Sequence, residues 1–222
     1  MATSTARRDR ADATREAILA AAERLFAEDG IAAVSNRQIS EAAGCGNNTA
    51  VGYHFGTKAD LIRAIVRRHN EAVERLCQQM IDGLGPDATL RDWVSVLVYP
   101  LARYLTELGE PSWYARFSAQ LMPDPAHRDI VSAESLTSTA VLRMIEGLRG
   151  CLPGLPEDVR VERNTMARHL IVAIFADRER AVAAGKPTPH PDWDSTAAAV
   201  TDAITGMLSA PVSSPNRTED QP

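Results

Sequence analysis

The sequence predicts an all-α fold of about nine helices, a small helix-turn-helix head followed by a larger helical body. Three observations carry that prediction. No stretch alternates apolar and polar residues as a half-buried strand would, whereas apolar residues recur at helical spacing along the whole chain. Capping residues and Gly or Pro breaks punctuate these stretches at helix-like distances. The composition, 45% hydrophobic and 24% charged over 222 residues, supplies a real core and excludes disorder for the bulk of the chain.

Taken in order, Ile18, Ala22, Leu25 and Phe26 form the apolar face of the first helix, and Gly30 stops it. Ser35 and Gln38 have capping-box spacing; Ile39, Ala42 and Ala43 then make a short apolar face that ends at Gly44. Asn47 and Asn48 are natural caps for a third, short helix carrying Ala50, Val51 and Tyr53. Thr57 with Asp60 caps a long fourth helix. Its face, Ile62, Val66, His69, Val73, Leu76 and Met80, runs to the break at Gly83, Gly85 and Pro86. The boundary between modules falls along this helix, giving a head over 12–68, a body over 69–209, and flexible tails over 1–11 and 210–222.

Five helices are expected in the body. Thr89 and Asp92 open one, and Pro111 starts another that bears Trp113, Tyr114 and Phe117. A third spans 130–148 before the breaker at 150–156, and a fourth spans 157–184. Trp193, Ala197, Val200, Ile204 and Met207 line the last.

Several function classes are excluded by what the sequence holds. The best apolar run, 94–102, is far short of the about 20 residues a membrane helix needs. The N-terminus is charged (Arg7, Arg8, Asp9, Arg10) where a secretory leader would be apolar. Cys45, Cys77 and Cys151 are far apart and form no CxxC, which fits reduced thiols in a cytoplasmic protein. The five histidines form no HExxH, and Asp124, His127 and Asp129 fit a helix cap at Asp124 better than a metal site. GxSxG, P-loop and strand-linked GxGxxG patterns are missing, so the expectation is a non-enzyme with no catalytic residues, metal or cofactor. Residues 1–80 carry a net charge of +1 and the remainder −6 within the total of −5, compatible with nucleic acid at one end.

The informative stretch is 35–58, SNRQISEAAGCGNNTAVGYHFGTK. A short helix, a glycine-containing turn and a second short helix present a recognition helix to the DNA major groove, which is about 12 Å wide and accepts one helix. Asn47, Asn48 and Thr49 have the short polar side chains expected of its base-reading first turn. Tyr53, His54, Thr57 and Lys58 follow where groups that grip phosphates are expected. Such helix pairs also occur in all-α proteins that touch no DNA, and spacing alone does not decide between the two.

Residues 14–65 resemble the N-terminal domain of the TetR (tetracycline-repressor-like) family of bacterial regulators. The resemblance rests on Arg15, Ile18, Ala21, Leu25, Phe26 and Gly30, then Arg37, Ile39 and Ala43–Gly44, and finally Tyr53–His54–Phe55, Lys58 and Leu61. It implies a dimeric transcription factor, usually a repressor, released from a palindromic operator by a small ligand bound in the C-terminal domain. Two departures stand out: the segment between Gly44 and Phe55 is one residue longer than the commonest form, and Gly52 occupies a mid-helix position that is larger in similar proteins. Either the backbone approaches DNA at Gly52, or Asn47, Asn48 and Thr49 do the reading. Arg37 is a phosphate-clamp candidate, or a solvated surface arginine.

A dimer must hold its two recognition helices about 34–36 Å apart. The last two helices are the expected interface: 166–176 is apolar almost all round, and Ala198, Ala199 and Thr205 permit close approach. A helix fully buried in a monomer would show the same pattern. Trp93, Arg103, Tyr104, Trp113, Phe117 and Gln120 are the expected pocket for a largely apolar small molecule of unknown identity, although ordinary core packing accounts for the same residues. Three functions fit the sequence. One is a ligand-released repressor, another an activator or partner-responsive regulator with the same head, and the last a small-molecule-binding protein that has lost DNA binding.

Overall fold

The computed structural model describes residues 2–47 and 49–212, with side chains from Arg8 onward. Ten helices are described and no strand among them: α1 (Ala2–Asp29), α2 (Asn36–Ala42), α3 (Ala50–Phe55), α4 (Lys58–Asp82), α5 (Leu90–Leu108), α6 (Tyr114–Leu121), α7 (Pro125–Ser135), α8 (Thr139–Cys151), α9 (Glu157–Ala183) and α10 (Trp193–Ser209). Helices α2 to α4 are where the sequence expects them, and α1 ends there too. Ser35 and Gln38 form the expected capping box on α2, Thr57 and Asp60 the one on α4, and Thr89 and Asp92 the one on α5. Asp124 caps α7 by accepting from the Ala126 amide at 2.9 Å.

The structure corrects three boundaries. The expected tail over 1–11 is helical from Ala2, an extension of α1 that is solvent-exposed over residues 8–11. At the other end Ala210 and Pro211 are tied down, because the buried Arg163 guanidinium donates to their carbonyls and to that of Leu208 at 2.7–3.2 Å. That cation closes the C-terminus of α10, where the helix dipole favours it; residues 213–222 lie outside the described residues. The single helix expected over 130–148 is two, α7 and α8. Ser138 bonds its own side-chain oxygen to the Val141 amide at 3.2 Å, the short polar residue competing with helix continuation and starting a new one.

Helix α6 begins at Tyr114, three residues later than Pro111 suggests, and its N-cap residue Trp113 offers no side-chain bond. A carboxylate from elsewhere takes that role. Glu179 of α9, 2% exposed, accepts from the Ser112 hydroxyl (2.7 Å), the amides of Ala115 (3.3 Å) and Arg116 (2.8 Å), and Arg116 Nε (3.2 Å). The positive end of the helix dipole, an arginine and three further donors together offset the desolvation of this buried charge.

The main core joins the head to the body. Phe26 of α1 stacks on Phe117 of α6 with centroids 6.2 Å apart, and α6 lies between α1 and α9. Helix α10 lies along α5, and α4 passes beside α5, α7 and α8. A second, smaller cluster holds Cys77, Ile81, Val96, Ala140 and Met144. There the Trp93 ring of α5 lies flat against Gly147 of α8, so close that a Cβ at 147 would sit 2.2 Å from it. At the junction of α1, α4, α5 and α6 the buried His69 ring lies between Glu23 (2.9 Å) and the Tyr104 hydroxyl (2.7 Å) and stacks on Tyr114 at 3.9 Å. Burial, then the charge of Glu23, raises the Tyr104 pKa, keeping the phenol protonated beside His69 Nδ1.

Candidate DNA-binding surface and effector cleft

Helix α2 stops in a glycine turn. Gly44 has φ +68°, and the Cys45 amide reaches back to the Ser40 carbonyl at 2.9 Å, a C-terminal motif that only glycine adopts without strain. The chain then turns to α3. The Asn47 side-chain oxygen accepts from the Thr49 amide at 3.0 Å and its carbonyl accepts from Ala50 at 3.1 Å, so Asn47 shapes the turn that starts the recognition helix. Asn48 lies outside the described residues.

Val51 and Phe55, four residues apart, are buried and anchor α3 to the head. The opposite arc is open. Thr49, Gly52 and Tyr53 are exposed, Tyr53 by 83%, and nothing lies within 4 Å of where a Cβ on Gly52 would be. Arg37 on α2 is exposed too and holds Glu41 at 2.8 Å; that bond and the Glu41 charge raise its pKa.

Two basic residues fix this helix, one at its end and one just beyond. Arg15 of α1 donates to the His54 carbonyl at 2.8 Å and lies 4.1 Å over the Phe55 ring. It closes the C-terminus of α3, where a cation is favoured. Sequence reasoning placed Arg15 in the family pattern without a role. Lys58 was expected to grip a phosphate, and here two of its three N–H donors are committed to the carbonyls of Ile31 (3.0 Å) and Val34 (2.6 Å). Its part-buried ammonium ties the segment after α1 to the first turn of α4. Thr57 likewise spends its hydroxyl on Asp60 at 2.6 Å. His54 is half-buried, its ring edge-on to Tyr53, so the exposed α3 arc consists of Thr49, Gly52 and Tyr53.

The six residues expected to line a pocket do not line the cleft described below. Trp93 packs on Gly147, Tyr104 belongs to the His69 junction, and Phe117 is fully buried against Phe26. Trp113 donates from Nε1 to Glu28 at 3.3 Å, Gln120 lies against Gly30, and Arg103 is exposed. Trp113, Phe117 and Gln120 mark the seam between α1 and α6, where large rings fill space rather than enclose it.

A cleft with a volume of about 160 Å³ lies between α4, α5, α7 and α8. Val73, Val96, Leu97, Pro100, Val141 and Met144 form apolar walls, interrupted by Asn70, Glu74, Cys77, Glu134, Ser135 and Ser138. Pro100 lies inside α5 and has no N–H, so the helical bond to the Val96 carbonyl is lost at the cleft wall. Burial pushes the Cys77 thiol up to about 11, an effect the Glu74 charge adds to and Arg143 opposes, so Cys77 is no nucleophile. Glu134 is also the partner of Arg67 at 2.7 Å and Arg63 at 3.7 Å on α4. A pocket built mainly from Val, Leu and Pro leaves a weaker mark in sequence than an aromatic cluster does. The in-helix proline was the available signal.

A short exposed helix, anchored by two apolar residues, capped by a distant arginine and joined to a cleft-bearing helical body, defines a helix-turn-helix DNA-binding regulator. Residues 18–65 match the family model described as bacterial regulatory proteins, tetR family, and residues 95–207 match the tetracyclin repressor-like C-terminal domain. The chain belongs to the TetR family of transcriptional regulators.

Solved structures show the same fold. AmtR from Mycobacterium smegmatis is 17% identical over 90% of this chain and 87% of its own, with a TM-score of 0.57. NalD from Pseudomonas aeruginosa, described as the secondary repressor of the MexAB-OprM multidrug efflux pump, is 23% identical over 88% and 95%, at 0.57. A tetR-family regulatory protein from Rhodococcus RHA1 is 22% identical over 88% and 96%, at 0.58. A comparison with curated proteins finds no match. No described helix is long and apolar enough to cross a membrane.

Proposed function

We propose that the protein is a dimeric repressor that leaves a palindromic operator when a small molecule enters the cleft between α4, α5, α7 and α8. One observation carries this reading. Helix α4 is a single element whose first turn holds the head through Lys58 and Thr57, and whose later turns supply Asn70, Val73, Glu74 and Cys77 to the cleft. A ligand that shifts α4 against α7 therefore shifts the platform under α3. Thr49 and Tyr53 contact DNA from the exposed arc, Asn47 and Asn48 read from the turn, and Arg37 clamps a phosphate in exchange for Glu41. The dimer forms through the last two helices, α9 and α10; Val161, Met166 and Ile174 of α9 leave apolar surface uncovered in the single chain, and Leu142 and Ile145 of α8 extend it.

The test is sequencing of DNA fragments selected by the purified full chain. The expected result is an inverted repeat with half-site centres about one helical turn or a multiple apart, bound as a dimer and with affinity falling steeply as salt rises. Selection of single half-sites by a monomer would end the dimer reading. Recovery of no sequence at all would leave a ligand-binding protein without an operator.

A further inference from the structure

The cleft carries information about what it binds, and the inference rests on its being the effector site. Its volume of about 160 Å³ is close to that of an engineered cavity of about 150 Å³ that holds one benzene. Its charged lining is one-sided: two carboxylates, Glu74 and Glu134, and no Lys, Arg or His. Glu134 is neutralised by Arg63 and Arg67, whereas Glu74 makes no ion pair or hydrogen bond among the described residues. The nearby Arg143 is held by Asp82 at 3.2 Å.

A carboxylate in a mainly apolar cleft is stable only with a partner or water. One turn before it, Asn70 Nδ2 is a buried donor with no acceptor. Positions four apart on a helix are neighbours, about 5–6 Å between Cβ atoms, so a molecule paired with Glu74 lies beside Asn70. On the facing wall Pro100 lacks the N–H that the Val96 carbonyl would otherwise accept from.

We propose that the cleft selects a small primary amine in its ammonium form, on an apolar body about one aromatic ring in size, with Glu74 as counter-charge and a ligand oxygen a few bonds from the nitrogen accepting from Asn70. An ammonium offers three donors and no acceptor, which matches the unpaired carboxylate of Glu74. A carboxylate ligand would face Glu74 unpaired, and a neutral hydroxyl would leave its charge uncompensated.

Three probes of nearly equal shape separate these cases: 2-amino-1-phenylethanol, 1-phenylethane-1,2-diol and mandelate, titrated calorimetrically into the full-length protein. The amine should bind about tenfold or more tightly than the diol, with mandelate weakest. In Glu74→Gln that preference should vanish, with the thermal midpoint of the variant checked against the parent. Asn70→Leu should weaken amine and diol alike and leave their ratio unchanged. Diol or mandelate binding as tightly as the amine, or a preference that survives in both Glu74→Gln and Glu74→Ala, would overturn the ligand class while leaving the effector cleft standing. Binding of none of the three would overturn both.

Discussion

Lys58 separates two readings of the same motif. As a phosphate contact, its loss would leave folding untouched and remove about one unit from the salt dependence of DNA binding. As the brace seen here, its ammonium holds the carbonyls of Ile31 and Val34 at 3.0 and 2.6 Å. A hydrogen bond to a charged group is worth about 1.5–3 kcal/mol. One ammonium shared between two carbonyls is closer to a single charged hydrogen bond than to two, so the pair together contributes about 2–3 kcal/mol. At about 2–4 °C per kcal/mol for a chain of this size, Lys58→Met should lower the thermal midpoint by about 4–12 °C. Circular dichroism melts and operator titrations at three salt concentrations measure both quantities on one preparation. Operator affinity should fall because α3 loses its fixed platform, with the salt slope unchanged. An unchanged midpoint with a slope shallower by about one would refute the brace.

Gly52→Ala should raise stability by about 1 kcal/mol, since the new methyl meets nothing within 4 Å and alanine is the better helix former. If α3 sits in the groove by its Thr49–Tyr53 arc, the same change weakens operator binding; a variant that is stabilised and binds at full strength would remove Gly52 from the interface. Acid should unfold the protein through its caps. The hydrogen bonds from Thr57 and Thr89 hold Asp60 and Asp92 below the usual carboxylate range. A depressed pKa in the folded state means their stabilisation is complete above the unfolded value, about 3.9, and is lost as pH falls through the lower folded value. The midpoint should therefore drop below about pH 4, and less so in Thr89→Val, which has lost one cap already; equal acid sensitivity in both would contradict the assignment.

The head was legible because its signals are local. Ser35–Gln38, Gly44 and Thr57–Asp60 each act within four residues, and capping chemistry placed them correctly. What escaped depends on distant partners. Lys58 finds its acceptors 24 and 27 residues upstream, Arg15 its carbonyl 39 residues downstream, and Glu179 its helix end more than 60 residues away. The aromatic stretch misled because size signals burial without saying whether rings surround a void or fill one: Phe117 meets Phe26, and Trp93 meets Gly147. The cleft walls, by contrast, are valines and a leucine that any helix core would use, and only Pro100 and the unpaired Glu74 distinguish them.

Glu179 carries a consequence for the order in which the molecule is assembled. It leaves the ribosome about 65 residues after Tyr114, roughly 3–13 s at ordinary translation speed. Until then the start of α6 has no carboxylate to close it, and Phe117, the ring on which Phe26 stacks, sits on a helix with an open end. The head is thus completed by a segment made well after it, so a nascent chain stalled before α9 carries an unfinished head.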